Sequence, residues 1–501
     1  MNGTGSIGPV EHHGPSETDR KPFGARFVTP LYVGAALNPV NSSMIATALV
    51  PIAAAMHIAV GQTAVLISTL YLTSAIAQPA AGRLAEEFGA RRVFLAGTLT
   101  VLVAGFLGGF AWGMAPLIIA RVLIGAGTSA CYPSAMLLIR QRAATAGLKE
   151  PPGSVLGGLA VAGAATVAIG PAVGGLLVGW LGWRTAFLIN VPAALLALVM
   201  ALGWISKDPD RVRGRSLRTI TQRLDLPGMA VFAGTLATLV IFLNDLQQPD
   251  WTLLVVTVVL AGVLVAWEFR AVNPFLDVRL LASNLALTST YLRNGLTLLG
   301  TYVILYGLTQ WLEAARGLSS FQAGLILIPM GALSAITARI ASRHSAVRAW
   351  LIASAVVLLV GAVATLPLTN GTPIIALIAV TALFGLTSGA STVANQTVLY
   401  REAPAESIGT ASGLLRTFGY VGSIASAAIT GMAFHSRVDD PGLHHISWAL
   451  IVIGAVVLLM TVFDRRLADA TGKETAGQGS QRLGETVADA PQGTGTQEGR
   501  A

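Results

Sequence analysis

The chain has 501 residues, of which 53% are hydrophobic and only 11% are charged, and its mean hydropathy is +0.68. Because roughly a quarter of the residues of a soluble domain are charged, this composition excludes a soluble multi-domain enzyme and indicates a chain surrounded mainly by lipid. The formal charge of +8 at pH 7 acquires a meaning only from the positions of the charges. The single cysteine, Cys131, excludes an intrachain disulfide, and we interpret it as a small packing residue.

Apolar segments of membrane-spanning length recur along the chain. A bilayer core about 30 Å thick requires roughly 20 apolar residues at a rise of about 1.5 Å each. Fourteen segments are near that length: 28–56, 63–84, 92–112, 115–138, 155–178, 184–205, 228–244, 251–269, 285–312, 321–341, 349–368, 373–399, 406–433 and 446–463. The sequence therefore predicts an all-α integral membrane fold with fourteen transmembrane helices.

The basic residues test this count independently. With the N-terminus in the cytoplasm, 27 of the 32 Lys and Arg residues fall in cytoplasmic segments. Three fall outside (Arg184, Arg316 and Arg437) and two lie within helices (Arg121 and Arg416). This asymmetry follows the positive-inside rule and predicts cytoplasmic termini. It also argues against nucleic-acid binding, because the charges form scattered clusters instead of one basic face.

Two polar tails and one polar connector divide the chain. The tails bury too little apolar surface to order themselves, so we expect both to be disordered and cytoplasmic. The first tail contains no signal peptide, and helix 1 is expected to direct insertion. The predicted order is an N-terminal tail (1–27), a six-helix bundle (28–205), a basic cytoplasmic linker (206–227), two inserted helices (228–270), a second six-helix bundle (271–465) and a C-terminal tail (466–501).

A glycine turn with an acid and arginines follows the second predicted helix. Its residues are Gly82, Leu84, Glu86, Gly89, Arg91 and Arg92. They resemble the loop between helices 2 and 3 of the major facilitator superfamily, with Glu86 where that family has Asp. The resemblance implies a gate in which the acid and arginines pair across the cytoplasmic mouth and favour one of two conformations. A solvated, positive-inside loop is the alternative.

Helix 4 contains an arginine well inside the apolar segment, followed by two glycines. Arg121, followed by Gly125 and Gly127, resembles the second motif of the superfamily, which implies a part in proton coupling. An arginine well inside a helix costs about 2.5–3.5 kcal/mol on insertion scales, so it is expected to face the protein interior. Snorkelling to the outer surface is the alternative.

Helix 5 combines a proline with paired glycines. Gly170, Pro171, Gly174 and Gly175 resemble the GPxxGG motif of drug antiporters, although Thr166 replaces an earlier glycine of that motif. A proline removes one helical hydrogen bond and kinks the helix, while glycines allow a neighbouring helix to approach. Such a kink can also serve packing alone.

Three further segments extend the resemblance to the fourteen-helix drug:proton antiporters. WLGWRTAFLINVP at 180–192 is similar to their outer loop and sixth helix, and RLDLPG at 223–228 and NPFLDVRLL at 273–281 are similar to the lead-ins of helices 7 and 9. The resemblance covers about residues 28–465. It implies the major facilitator fold, two six-helix bundles plus two inserted helices, in a multi-pass protein of the bacterial inner membrane.

The positions of the acidic residues differ from the pattern of the drug:proton antiporters. Many such antiporters have an aspartate in helix 1, where this chain has Ser42, and none of the 24 acids falls at mid-membrane. Asp245 and Glu268 lie at helix ends, and Glu313 lies near the outer end of helix 9. If protons are exchanged, we expect Glu313 to be the acid, sensed indirectly by Arg121. An interfacial glutamate in water is the alternative.

Polar and aromatic residues on several helices are candidates for a substrate cavity, because lipid-facing positions hold such groups only at a cost. Each of them could instead serve as an interhelical hydrogen-bond partner. The candidates are Asn38, Asn41 and Ser42 on helix 1, Tyr291, Asn294 and Tyr302 on helix 9, Asn395 and Gln396 on helix 12, and Arg416, Tyr420 and Ser423 on helix 13.

No catalytic constellation, phosphate-binding loop or ATPase-sized domain is present in the sequence, so we expect no enzyme and no cofactor. His435, His444 and His445 form a weak metal candidate, and no metal site is predicted. The expected partners are the lipid bilayer, a small organic substrate and protons, without nucleic acid or an obligate protein partner.

The leading hypothesis is export of amphipathic or antibiotic-like compounds in exchange for protons. A uniporter or importer of a metabolite and a transport-inactive membrane sensor are the alternatives.

Overall fold

The computed structural model describes residues 22–148, 152–208, 225–244, 249–272, 274–276, 278–344, 346–403 and 408–464. Within these ranges the regular structure is entirely helical. The predicted tails and most of the 206–227 linker lie outside the described residues.

Each predicted segment coincides with a helix. Within the described ranges the long helices are α1 Ala25–Met56, α2 Val60–Phe88, α3 Ala90–Gly109, α4 Met114–Thr145, α5 Gly153–Leu181, α6 Thr185–Trp204, α7 Leu226–Asn244, α8 Trp251–Glu268, α9 Leu285–Ala314, α10 Ser320–Ala341, α11 Val347–Thr365, α12 Ile374–Glu402, α13 Ile408–Ala433 and α14 Asp440–Phe463. A short helix, Val278–Ser283, precedes α9.

Eleven helices of the described residues are long and apolar enough to cross a membrane, judged by length and composition. The long helices outside that set are α5, α9 and α13. Helix α9 has polar side chains such as Arg293, Asn294 and Glu313 buried along it, which lowers its hydropathy although they pack inside the protein. Eleven spans are thus supported, and the number of fourteen crossings stays a prediction.

Local sequence signals determine several helix ends. Gly182 follows α5 with φ +88°, and Gly317 follows α9 with φ +70°, a left-handed conformation that favours glycine. Ser319 and Gln322 form a capping box that starts α10. Asp439 caps α14 by accepting a hydrogen bond from the Gly442 amide at 2.9 Å, and this bond lowers the pKa of its carboxyl.

Helix α1 is interrupted near its middle. It contains Pro30 and Pro39, and Ile45–Ala48 form a 3₁₀ turn between two α-helical parts. The Ser43 hydroxyl donates to the Pro39 carbonyl at 2.9 Å, which partly satisfies the backbone beside the break. Because of this break, the Ser42 carbonyl can accept a hydrogen bond from another helix.

The helices pack as two groups. Helices α1–α6 contact one another, as do α9–α14, while α7 and α8 form a hairpin whose α7 also touches α2 and α13. The two groups meet mainly where α5 packs on α10 and where α2 packs on α13. The end at which α1 begins and α14 ends is called the terminal end, and the opposite one the distal end.

The two groups are in close backbone contact at the distal end. A Cβ placed on Gly175 of α5 would lie 2.2 Å from the Ser320 carbonyl oxygen, and one placed on Gly61 of α2 would lie 2.6 Å from that of Gly431. A Cβ placed on Gly324 of α10 would likewise lie 2.3 Å from the Pro171 carbonyl oxygen. Only glycine allows this approach, so the distal end is tightly closed in this conformation.

Candidate functional site

Four tyrosines from both helix groups meet near the middle of the helices. Tyr71 of α2 lies 5.4 Å from Tyr302 of α9 and 5.9 Å from Tyr420 of α13, measured between ring centroids. Tyr302 stacks on Tyr306 at 5.6 Å. These separations are within the range of favourable aromatic pairs, so this tyrosine cluster joins the two groups by ring contacts.

Hydrogen bonds link the same residues across the groups. The Tyr306 hydroxyl donates to the Ser42 carbonyl at 2.9 Å, so the Tyr71 hydroxyl, also 2.9 Å away, donates to Tyr306. The Tyr420 hydroxyl donates to the Gln78 side-chain oxygen. Hydroxyl groups can exchange partners by small rotations, so these links can break and reform as the helices move.

Arg121 lies beside this cluster and is 1% exposed. Its Nε donates to the Leu66 carbonyl at 2.9 Å, and its Nη1 donates to the Asn41 carbonyl at 3.2 Å. Its Nη2 has no hydrogen-bond partner among the residues that the structure describes. The predicted interior position is therefore observed, which argues against snorkelling, and one guanidinium nitrogen keeps its donor capacity.

Arg416 of α13 faces the first helix group. Its guanidinium carbon lies 3.6 Å from the ring centroid of Tyr132 on α4, a cation–π contact. Arg416, Tyr132, Tyr420 and Tyr302 are all partly exposed. Together with the tyrosine cluster, Arg121 and Gln78, these residues form a polar patch between the two groups, in which Tyr71, Tyr306, Arg121 and Gln78 are buried. We refer to this set as the central site.

The predicted helix 1 candidates lie next to the central site and hold helices together. Asn41 and Asn190 exchange two amide hydrogen bonds at 2.6 and 2.9 Å. Asn38 donates to Ser74 at 3.2 Å and to Thr128 at 2.9 Å. Asn38 is partly exposed, whereas Asn41 is buried, so of the two only Asn38 could offer its side chain to a ligand.

The helix 9, 12 and 13 candidates are not all brought together. Tyr291 is fully buried and stacks on Phe418 at 5.5 Å, and Asn294 donates to the Leu415 carbonyl at 3.2 Å. Gln396 is exposed, one position from the buried Asn395, because neighbouring residues of a helix face different directions. Of these predicted candidates, Tyr302, Arg416 and Tyr420 belong to the central site.

Arg293 shows where the charge distribution was misleading. It is one of the 27 basic residues that the charge pattern places in cytoplasmic segments, and that placement is wrong, since Arg293 is 1% exposed within α9. Its Nη1 lies 3.4 Å from the Asp464 carboxylate, and its Nε donates to Asn395 at 2.9 Å. A basic residue two turns inside a helix can thus be buried when another helix end supplies its counter-charge.

The predicted gate motif has a different acid at its centre. Glu86 is exposed, while the carboxylate of Asp208 accepts hydrogen bonds from the backbone amides of Arg91 at 3.0 Å and Arg92 at 2.9 Å. A Cβ on Gly89, which has φ +101°, would lie 2.5 Å from the same carboxylate. A carboxylate at a helix N-terminus is favourable, so Asp208 fixes the start of α3.

One residue within this motif reaches the other half of the chain. Arg83, beside Gly82, donates to the Pro274 carbonyl at 2.9 Å, in the segment that leads to α9. The contact lies at the terminal end and connects the end of α2 to the lead-in of the second helix group. It is the kind of contact that a gate requires, although a gating role for the motif remains a proposal.

The predicted antiporter motif lies where α5 touches its neighbours. Besides the Gly175 contact with α10, a Cβ on Gly170 would lie 1.8 Å from the Ser43 hydroxyl, and one on Gly174 would lie 2.9 Å from that of Thr47. The glycines thus pack α5 against both α1 of its own group and α10 of the other. Packing between the groups therefore depends on this surface.

Glu313 lies at the distal end of α9 and is 7% exposed. One carboxylate oxygen accepts a hydrogen bond from the Ser320 hydroxyl at 3.2 Å, and the other has no partner among the described residues. Glu313 is therefore not an interfacial glutamate in water. Glu313 is hydrogen-bonded to Ser320, and the backbone carbonyl of Ser320 lies against Gly175 of α5.

Sequence reasoning missed four residues of the central site: Tyr71, Gln78, Tyr132 and Tyr306. A signal was present, because Ser68, Tyr71, Ser74 and Gln78 are spaced by three, three and four residues and so form one polar stripe on α2. The i, i+4 spacing of Tyr302 and Tyr306 is a second such signal. Outside the central site, His444 is near the Leu368 carbonyl at 3.1 Å.

Two groups of membrane helices with a polar site between them are typical of membrane transporters. The sequence pattern that defines the Major Facilitator Superfamily matches residues 31–427 and 285–488, and the chain belongs to this superfamily. It is therefore a transporter and not an enzyme.

Comparison with known proteins agrees with this assignment. The chain is 31% identical over 442 residues to the uncharacterized MFS-type transporter YwoD of Bacillus subtilis, covering 87% of this chain and 96% of that protein. It is 28% identical over 428 residues to the tetracenomycin C resistance and export protein of Streptomyces glaucescens, covering 81% and 75%. The crystal structure of the peptide transporter POT in complex with alafosfalin has a TM-score of 0.63 at 14% identity, covering 88% and 95%. That likeness shows the fold alone.

Proposed function

We propose that this protein exports small amphipathic or antibiotic-like compounds by alternating access. The observation that carries the proposal is the central site, in which aromatic, hydroxyl and guanidinium groups from both helix groups meet, with Tyr132, Tyr302, Arg416 and Tyr420 partly exposed. Such a mixture of flat apolar surfaces and a few polar groups suits amphipathic ligands. Export is supported by the similarity to a resistance and export protein.

The arrangement in the membrane is part of the proposal. We place fourteen helices across the bacterial inner membrane with both termini in the cytoplasm, as the basic residues indicate. The terminal end is then cytoplasmic and the distal end external. Residues 28–205 and 271–465 act as the two bundles. Labelling of a cysteine introduced at Arg213, in the connector, tests this orientation, and external labelling would contradict it.

Alternating access then requires the distal contacts to separate. In the described conformation α5 packs on α10 through Gly175 and Gly324, so the distal end, which is external in this proposal, is closed. Rocking of the two bundles would release these contacts and rearrange the terminal end, where Arg83 and the Asp208-bound turn are the candidate gate elements.

Transport in everted membrane vesicles tests the function. We expect uptake of amphipathic antibiotics into vesicles that contain the protein, above the uptake of vesicles without it. Collapse of the proton gradient by an ionophore separates the mechanisms: loss of uptake supports antiport, and unchanged exchange supports a uniporter. Absence of flux for a broad panel of compounds would favour a transport-inactive sensor and contradict the proposal.

Replacement of Glu313 by Gln is expected to reduce proton-driven uptake by about tenfold while exchange of substrate without a proton gradient continues. The physical reason is that Gln cannot take up and release a proton at the position that is bonded to Ser320, beside the α5–α10 contact. The measurement is initial uptake rate as a function of an imposed pH gradient. Asp250→Asn, a change at an exposed helix cap, is the matched control. Unchanged pH-driven transport by Glu313→Gln would dismiss Glu313 as the coupling acid.

A further inference from the structure

The central site carries two positive charges. Arg121 belongs to α4 in the first helix group and Arg416 to α13 in the second. The guanidinium of Arg121 interacts electrostatically with the phenol groups of Tyr306 and Tyr71. The guanidinium of Arg416 interacts most strongly with the phenol groups of Tyr132 and Tyr420. A phenol group is ordinarily neutral near pH 7 and supplies no counter-charge.

Among the described residues, neither charge forms an ion pair with an acid. The sequence contains 24 acidic residues, and none falls in the middle of a predicted helix. By contrast, Arg293, the other deeply buried arginine described here, has Asp464 within 3.4 Å. A buried cation ordinarily has a counter-charge because an unpaired charge in a low-dielectric interior is costly. Arg121 and Arg416 depart from that rule at the place where a substrate is expected.

The central site retains an unused hydrogen-bond donor. The Nη2 atom of Arg121 is buried and has no hydrogen-bond partner among the residues described, although its other two nitrogens are bonded to carbonyls. Arg416 is partly exposed above the Tyr132 ring. A guanidinium binds carboxylate, sulfonate or phosphate groups through charge-assisted hydrogen bonds, which are about twice as strong as neutral ones.

We propose that the central site selects amphipathic anions, namely aromatic compounds that carry one carboxylate or sulfonate group. The anionic group lies against Arg416 and Arg121, and the ring packs on Tyr302 and Tyr420. This inference rests on the proposed export function and names its substrate class. It also gives the absence of an acid in the middle of the helices a physical sense, because a membrane potential that is negative inside already drives an anion outward.

Two permanently charged probes with the same ring system test this selectivity. One is naphthalene-2-sulfonate and the other is (2-naphthylmethyl)trimethylammonium, and both are measured for binding to the purified full-length protein and for transport in proteoliposomes. We expect the sulfonate to bind at least about tenfold more tightly than the ammonium compound, since one charge-assisted hydrogen bond supplies a difference of that order.

Variants of Arg416 make the test specific. Arg416→Gln is expected to weaken sulfonate binding by about tenfold and to strengthen ammonium binding, because it removes a repulsive positive charge, and Arg416→Glu is expected to reverse the preference. Arg437→Gln, which removes an exposed charge at the distal end, should leave both affinities unchanged. Should Arg416→Glu fail to fold, the Gln variant alone decides the outcome.

Different experimental results would contradict the anion selectivity and the export function. Tighter binding of the ammonium probe, an equal effect of Arg416→Gln on both probes, or binding of neither probe would overturn the anion selectivity. In each of those cases transport of neutral or cationic amphipathic compounds in the everted vesicles would leave the export function in place. Absence of transport for every class of compound would overturn both.

Discussion

Replacement of Gly175 by Ala is expected to reduce transport by about tenfold or more while the protein still reaches the membrane. The new Cβ would lie 2.2 Å from the Ser320 carbonyl oxygen and 2.9 Å from the Ser320 carbonyl carbon. These are backbone atoms, which cannot rotate away as the end of a flexible side chain can. Overpacking of this kind costs about 1–3 kcal/mol, and about 1.4 kcal/mol corresponds to a tenfold change in an equilibrium.

The cost applies to one conformation only. The α5–α10 contact exists when the distal end is closed, so the variant should shift the population toward a conformation with separated distal ends. Thr63, in the first turn of α2, is fully buried at that end and provides a reporter. In a Thr63→Cys background, Gly175→Ala is expected to increase labelling by a membrane-impermeant maleimide in step with the loss of transport.

The same helix supplies the matched control. Gly179 lies one turn further along α5, and a Cβ there would be 3.6 Å from the nearest atom of Phe321, an ordinary van der Waals distance. Gly179→Ala should therefore transport at nearly the normal rate. Equal effects of the two substitutions, or normal transport and labelling by Gly175→Ala, would show that the close contact is not part of the transport cycle.

Replacement of Asp464 by Asn is expected to lower the stability of the protein by about 3–5 kcal/mol, the typical cost of removing one partner of a buried ion pair. Asp464 follows α14 and binds Arg293 of α9 at 3.4 Å, with the Ser289 hydroxyl donating to the same carboxylate oxygen at 3.1 Å. The side chains of Arg293 and Asp464 are 1% and 10% exposed. Asn keeps the shape of the side chain but leaves the arginine without its counter-charge.

An exposed pair gives the comparison. The Asp439 carboxylate pairs with Arg437, whose side chain is 78% exposed, and such surface pairs contribute about 0–1 kcal/mol. Asp439→Asn also retains a residue that can cap α14, so its melting temperature in detergent should stay near that of the unchanged protein. A double variant, Arg293→Met with Asp464→Leu, should recover most of the loss, because two apolar residues leave no charge unpaired. Similar melting temperatures for Asp464→Asn and Asp439→Asn would contradict the structural importance of the buried pair.

Much of the fold could be predicted from the sequence. Every predicted segment coincides with a long helix, because a segment of about twenty apolar residues in lipid must satisfy its backbone hydrogen bonds internally. The glycines of helix 5 and the arginine of helix 4 were recognised from their resemblance to family motifs, and they lie in the interhelical positions that a close approach and a buried charge require.

The central site could be predicted only in part. Tyr302, Arg416 and Tyr420 were recognised, since polar side chains in apolar helices stand out. Tyr71 and Tyr306, which join the two helix groups, were missed because their importance depends on which helices become neighbours. Gln396 was assigned to the cavity although its direction differs from that of Asn395.

The sequence by itself determined the class of protein, the positions of its helices and the shortage of acids within them, because hydropathy and charge act locally along a chain in a bilayer. Only the tertiary structure decided which charges are compensated. Arg293 has Asp464, 171 positions further along the chain, whereas Arg121 and Arg416 face tyrosines. Whether a buried charge finds a partner depends on distances between helices that are remote in sequence, and these distances arise from packing.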